Sequence, residues 1–114
     1  MGLGENQIRI KLPMEALEAF CRRWFIVEMA LFGSALRDDF GPESDIDLLV
    51  TYAPEAERSL KNLIEMSEEL EAILGRKVDL VNRAVITQSR NYIRRRAILE
   101  SARTIYDARS SVSA

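Results

Sequence analysis

Hydrophobic and polar positions change period several times along the chain, and each change marks an element. After Pro13, the residues Met14, Leu17, Phe20, Cys21 and Trp24 recur at helical spacing, which predicts a first helix opened by the proline. The run FIVEMALF (25–32) reads as a buried strand that ends at Gly33. SALRDDF (34–40) suits a short helix, stopped by Gly41-Pro42. DIDLLVTY (45–52) is a second strand, ended by Pro54. From Glu55 to Leu74 the pattern predicts the clearest helix, with Leu60, Leu63, Ile64, Ser67, Leu70 and Leu74 tracing one face and Gly75 placed just past its end. KVDLV (77–81) is a third strand, Ile86 to Ser101 a further helix, and TIYDA (104–108) a last short strand. Helices and strands therefore alternate, the pattern of an α/β domain with a small central sheet. One domain is expected over residues 1–108, and the small polar residues 109–114 are expected to fray.

Composition narrows the chemistry. The chain has 114 residues, 47% hydrophobic and 30% charged, which suits a soluble single domain with a modest core. A net charge of −2 argues against a general nucleic-acid binder. There is one cysteine, Cys21, so no intrachain disulfide framework exists and a reducing compartment fits best. No histidine is present, which removes the usual zinc ligand and the usual general base at neutral pH. Catalysis then falls to carboxylates, hydroxyls, lysine or a hard metal ion. The start, MGLGENQIRI, lacks the features of a signal peptide and of a myristoylation site, and no apolar stretch reaches membrane-spanning length. A cytoplasmic protein with no membrane contact is expected.

Two aspartates, Asp45 and Asp47, stand at the head of the second strand. Alternation along a strand points both to one face, with Cα atoms roughly 6.5–7 Å apart, while Ile46, Leu48 and Val50 point to the other. Carboxylates this close repel unless a cation lies between them, and Mg²⁺ is held by one or two carboxylates together with substrate phosphates. Asp79 lies between Val78 and Leu80 on the third strand and joins the pair if the two strands are neighbours. Three carboxylates so placed suit two metal ions that clamp the attacking and leaving oxygens of a phosphoryl transfer. A lone Asp-x-Asp at a strand start is more often a solvated strand end or a turn cap, and a third aspartate inside a hydrophobic strand shifts the balance toward a site.

Gly33 and Ser34 join a buried strand to a helix. Glycine lets backbone approach a ligand closely, and Ser34 near a helix N-terminus lies where phosphate is attracted; the same serine can also simply cap the helix. Arg37, one turn later, can reach a phosphate or pair with Asp38, Asp39 or Glu43. The stretch RNYIRRR, with Arg90, Arg94, Arg95 and Arg96, is either a solvated helix face or a contact surface for an acidic partner or RNA.

Together, Gly33-Ser34, then Ser44-Asp45-Ile46-Asp47, then Asp79 resemble the nucleotidyltransferase superfamily typified by DNA polymerase beta. The short length and FGS…SDIDLLV look most like the minimal nucleotidyltransferases of prokaryotes, commonly the antitoxin half of a pair whose other half is a HEPN-domain toxin. The resemblance implies a polymerase-beta-like fold with a small mixed central sheet flanked by helices, a phosphate-binding turn at Gly33 and Ser34, and metal binding by Asp45, Asp47 and Asp79. It also implies that Asp79 activates the attacking hydroxyl. The implied reaction is Mg²⁺-dependent transfer of AMP from ATP to a tyrosine of the HEPN toxin. Alternatives are transfer to a small molecule or an RNA end, or an antitoxin that acts by contact alone. Many minimal members read Gly-Ser-Arg-Ala-Arg-Gly at the turn; this chain reads Gly33-Ser34-Ala35-Leu36-Arg37-Asp38.

Overall fold

In the computed structural model, which describes residues 12–33, 45–56 and 59–109, the apolar stripe after Pro13 forms helix α1 (Met14–Arg23). It buries Leu17, Phe20 and Cys21, one face of a 3.6-residue period. Burial pushes the Cys21 thiol up to about 12, with the nearby Glu18 carboxylate adding to the effect and Arg22 opposing it, so the sulfur is a protonated core group at neutral pH. Phe25 turns the chain into the sheet in the left-handed region, at φ 58°, and its carbonyl accepts a 2.8 Å hydrogen bond from the Ala53 N–H.

The remaining elements are β1 (Ile26–Phe32), β2 (Ile46–Tyr52), α2 (Leu60–Leu74), β3 (Val78–Asn82), α3 (Arg83–Thr87), α4 (Tyr92–Ser101) and β4 (Arg103–Asp107). The four strands make one mixed sheet in the order β3-β2-β1-β4. β1 runs antiparallel to both β2 and β4, and β2 runs parallel to β3. Parallel neighbours require a crossover, which α2 supplies. The expected α/β architecture, a small mixed sheet flanked by helices, is the one observed.

Strand alternation divides the core in two. Ile46, Leu48 and Val50 of β2 pack with Leu17 and Phe20 of α1 and Met66 and Leu70 of α2. On the opposite face Leu49 packs with Ala30 and Phe32 of β1, Ile86 of α3 and Ile98 of α4. Ile26 and Met29 both reach the first core although three residues apart, because the pairing register slips between Ile26 and Glu28. One extra residue in a strand resets which face the following side chains take. The two helices over the first core are also tied at their surface: Trp24 Nε1–H donates to Glu69 Oε1 at 3.0 Å, and Arg23 pairs with the same carboxylate.

Three expectations from the pattern need correction. The crossover helix begins at Leu60 rather than at Glu55, because Pro54 and Glu55 lie in a turn and the Ser59 hydroxyl accepts from the Asn62 N–H at 3.1 Å, capping the helix there. Its buried face is also rotated toward Met66, Leu70, Ile73 and Leu74, which leaves Leu60, Leu63 and Ile64 largely exposed. The helix expected from Ile86 to Ser101 is two helices. Asn82 caps α3 by accepting from Ala84 N–H at 2.9 Å, and Asn91 caps α4 by accepting from Arg94 N–H at 3.1 Å. An asparagine that bonds the backbone ahead of it starts a new helix rather than continuing an old one. The short helix expected over 34–40 lies outside the described residues.

Ser59→Ala removes the α2 cap and should lower stability by about 1 kcal/mol. Gly75, at φ 71°, closes the same helix with no atom within 4 Å of where a Cβ would sit. Gly75→Ala should therefore cost about 1 kcal/mol from backbone conformation alone. Urea unfolding midpoints check both, with unchanged slopes expected.

Candidate active site

Asp47 and Asp79 are register partners across the parallel β2–β3 pair. Adjacent strands lie about 4.8 Å apart and in-register side chains share a face, so the two carboxylates stand side by side. Both line a cleft of about 470 Å³, within the range of roughly 300–1,000 Å³ that small-molecule sites occupy. The strand ends form one wall, from Phe32 and Gly33 through Asp47 to Asp79 and Val81. Helix α4 forms the facing wall, presenting Arg94, Ala97, Ile98 and Ser101 at i, i+3, i+4 and i+7. Asp47 is half-buried and Asp79 exposed, so both stay within reach of a ligand in the cleft.

Gly33 closes the cleft at the end of β1. Its φ is 72°, and a Cβ built there would run into the Asp47 carboxylate. Glycine is needed at this position both for backbone conformation and for the room it leaves beside Asp47. The sequence marks Gly33 as a place where backbone can approach a ligand; what a Cβ built there meets first is a carboxylate oxygen of Asp47.

Asp45 stands immediately before β2, exposed, and is not among the residues that line the cleft. The Ile46 N–H next to it donates to the Lys77 carbonyl at 2.9 Å, which fixes the heads of β2 and β3 together. Among the described residues no three acidic side chains are gathered into a metal-binding group. Two of the three expected carboxylates share the cleft. Ser34 and Arg37 lie outside the described residues. In the sequence Arg94 is one arginine of a basic stretch. Its place on the cleft wall follows from where α4 begins. Ser101 Oγ donates to the carbonyls of Ala97 and Ile98, at 2.8 and 3.3 Å, and is engaged by its own helix.

The donor chemistry fits a hard cation. Paired carboxylates with no histidine or cysteine beside them suit oxygen-seeking Mg²⁺ and not zinc. The open space over them has room for further oxygen ligands from a substrate.

Residues 13–105 match the nucleotidyltransferase domain family, and the chain belongs to it. A protein adenylyltransferase, MntA, of Thermococcus cleftensis is 44% identical over 59 residues, which covers 52% of this chain and 58% of that protein. The chain spans about three-fifths of the length of the curated relatives it matches. A solved structure assigned as a minimal nucleotidyltransferase is 30% identical, with a TM-score of 0.59 over 80% of this chain and 85% of that one. A toxin–antitoxin structure with AMP-PNP shares the fold at a TM-score of 0.59 and 20% identity, over 90% of this chain and 86% of that one.

The contact between Gly33 and Asp47 is open to a double-mutant cycle. Gly33→Ala should destabilise the protein, and its cost should fall by at least about 1 kcal/mol when Asp47→Ala has already removed the carboxylate. Equal costs in the two backgrounds, measured by urea unfolding, would separate the glycine from the carboxylate.

Proposed function

We propose that the chain is a protein adenylyltransferase of the antitoxin type, which moves AMP from ATP to a hydroxyl of a partner protein. The observation that carries this reading is the Asp47–Asp79 register pair on the wall of the cleft. Support comes from the domain family, from the adenylyltransferase relative and from the toxin–antitoxin structure that shares the fold. The acceptor we favour is a tyrosine of a HEPN-type toxin, silenced by the modification. The compartment is the cytoplasm, where ATP is at hand and the unpaired Cys21 stays reduced.

Asp47 and Asp79, with Asp45 contributing from the head of the strand, are the residues that would hold Mg²⁺. The metal would supply charge neutralisation for the phosphates and for the leaving pyrophosphate. The chain's own work is positioning and proton transfer. Gly33 leaves space beside Asp47, and Ser34 and Arg37 follow it as candidate phosphate contacts. The acceptor oxygen forms a bond to the α-phosphorus as the bond from that phosphorus to the bridging oxygen breaks, and pyrophosphate leaves. The hydroxyl proton passes to a carboxylate oxygen of Asp79. Such a reaction depends chiefly on alignment and on charge stabilisation, so the partner must present its hydroxyl in line with the leaving group.

Replacing Asp45 and Asp47 together with asparagine keeps their shape and removes their charge. Calorimetry should then show Mg²⁺–ATP binding largely lost, with the melting temperature held or raised. Asp79→Asn should keep much of the nucleotide affinity and lower transfer by about 10²- to 10⁴-fold. Intact-mass measurement of both chains after incubation with ATP, Mg²⁺ and the co-expressed partner reads the transfer. An unmodified partner whose toxicity is nonetheless neutralised would replace this reading with inhibition by contact alone.

A further inference from the structure

We infer that Arg94 is a phosphate-binding residue of the cleft, facing the carboxylate wall and taking the charge of the nucleotide's phosphate chain. The inference rests on the proposed nucleotidyl transfer and adds a residue to its site. Three observations carry it.

The first is position. Among the arginines of RNYIRRR, Arg94 lines the cleft that holds Asp47 and Asp79. It stands on the same face of α4 as Ile98, which is buried against the sheet and so fixes how the helix is turned.

The second is the state of its side chain. Arg95 donates to the carbonyls of Thr87 and Ser89, at 3.4 and 3.2 Å, and Arg96 pairs with Glu100 at 2.8 Å. Arg94 engages the cap through its backbone N–H alone. Its guanidinium makes no ion pair or hydrogen bond with any described residue, so the planar fork is available to a bidentate oxyanion such as phosphate.

The third is its place in the helix. Asn91 is the cap of α4, so Arg94 is the third residue of the first turn, and no acidic residue accompanies it there. Cations oppose the dipole at a helix N-terminus, and carboxylates are favoured. An uncompensated arginine at that end adds to a field that already attracts anions, and it does so on a cleft wall rather than on a remote surface. The cleft thus has an acidic wall suited to a cation and a basic wall suited to an anion. A metal-bound polyphosphate carries both charges.

The experiment is calorimetry of the folded protein with a non-hydrolysable ATP analogue plus Mg²⁺, and with adenosine. The variants are Arg94→Gln, Arg94→Lys and, as a control on the same helix, Arg96→Gln. Arg94→Gln should weaken the triphosphate analogue by about 10- to 100-fold, as loss of a charge-assisted contact does. Adenosine affinity should not change in any variant, Arg94→Lys should recover part of the loss, and Arg96→Gln should match wild type. The melting temperature of Arg94→Gln should hold or rise slightly, because the Arg94 side chain has no partner among the described residues and its charge opposes the dipole of α4. Equal affinity of wild type and Arg94→Gln for the analogue would overturn the inference and leave the proposed function standing. A wild-type protein that binds no Mg²⁺-analogue at all would overturn the proposed function, and this inference with it.

Discussion

The register of β2 against β3 is the constraint on which the rest of the molecule depends. It sets Asp47 opposite Asp79, and a slip of one residue would put one carboxylate into the apolar core. The register is held from the other side of the sheet. Ile46, Leu48 and Val50 are fully or almost fully buried beneath α1 and α2, and Val78 and Leu80 pack against the same cluster. Hydrophobic burial on one face thus holds in place, on the other, a pair of like charges that would repel one another if free. The crossover helix α2 is part of the same constraint, because parallel neighbours β2 and β3 need a crossover between them.

The two faces of the sheet serve different ends. The first is a continuous core built from α1, α2 and all four strands. The second is a smaller cluster around Ala30, Phe32, Leu49, Ile86 and Ile98. α4 is anchored there by Ile98, and beyond that anchor the space between helix and sheet stays open as the cleft. The acidic residues line the floor and Arg94 the facing wall. The break between α3 and α4 makes the second a separate helix, and the Asn91 cap determines where it starts. None of the described polar or charged residues is fully buried, so the groups expected to do chemistry keep access to solvent and ligand.

Much of this was legible in the sequence, for identifiable reasons. The strands were readable to within a residue, because continuous apolar runs ended at Gly33, at Pro54 and beside Asn82. The metal-site expectation rested on the alternation of Asp45, Ile46 and Asp47, and the structure does place Ile46 in the core. Whether Asp79 stands beside Asp47 depended on strand order, which no local pattern encodes. The misread helix face arose because α2 carries two overlapping apolar stripes, Leu60–Leu63–Ile64 and Met66–Leu70–Ile73. Only packing against α1 and β3 selects the second. The divided helix carried a signal in Asn82 and Asn91, each three residues or fewer ahead of the backbone N–H it caps. Arg94 was visible as charge but not as geometry, since its direction follows from the cap and from Ile98.

In the proposed function, Asp47 and Asp79 act as one cation-binding unit that a nucleotide completes. The most direct measurement is carboxyl-detected NMR of aspartate-labelled protein, titrated with Mg²⁺ in the presence of a non-hydrolysable ATP analogue. The Asp47 and Asp79 carboxyl resonances should move together and saturate at one Mg²⁺ concentration, while that of Asp107, on the far edge strand, stays still. Resonances of Asp47 and Asp79 that remain unmoved at saturating Mg²⁺ and nucleotide, or that respond at unrelated concentrations, would contradict this reading.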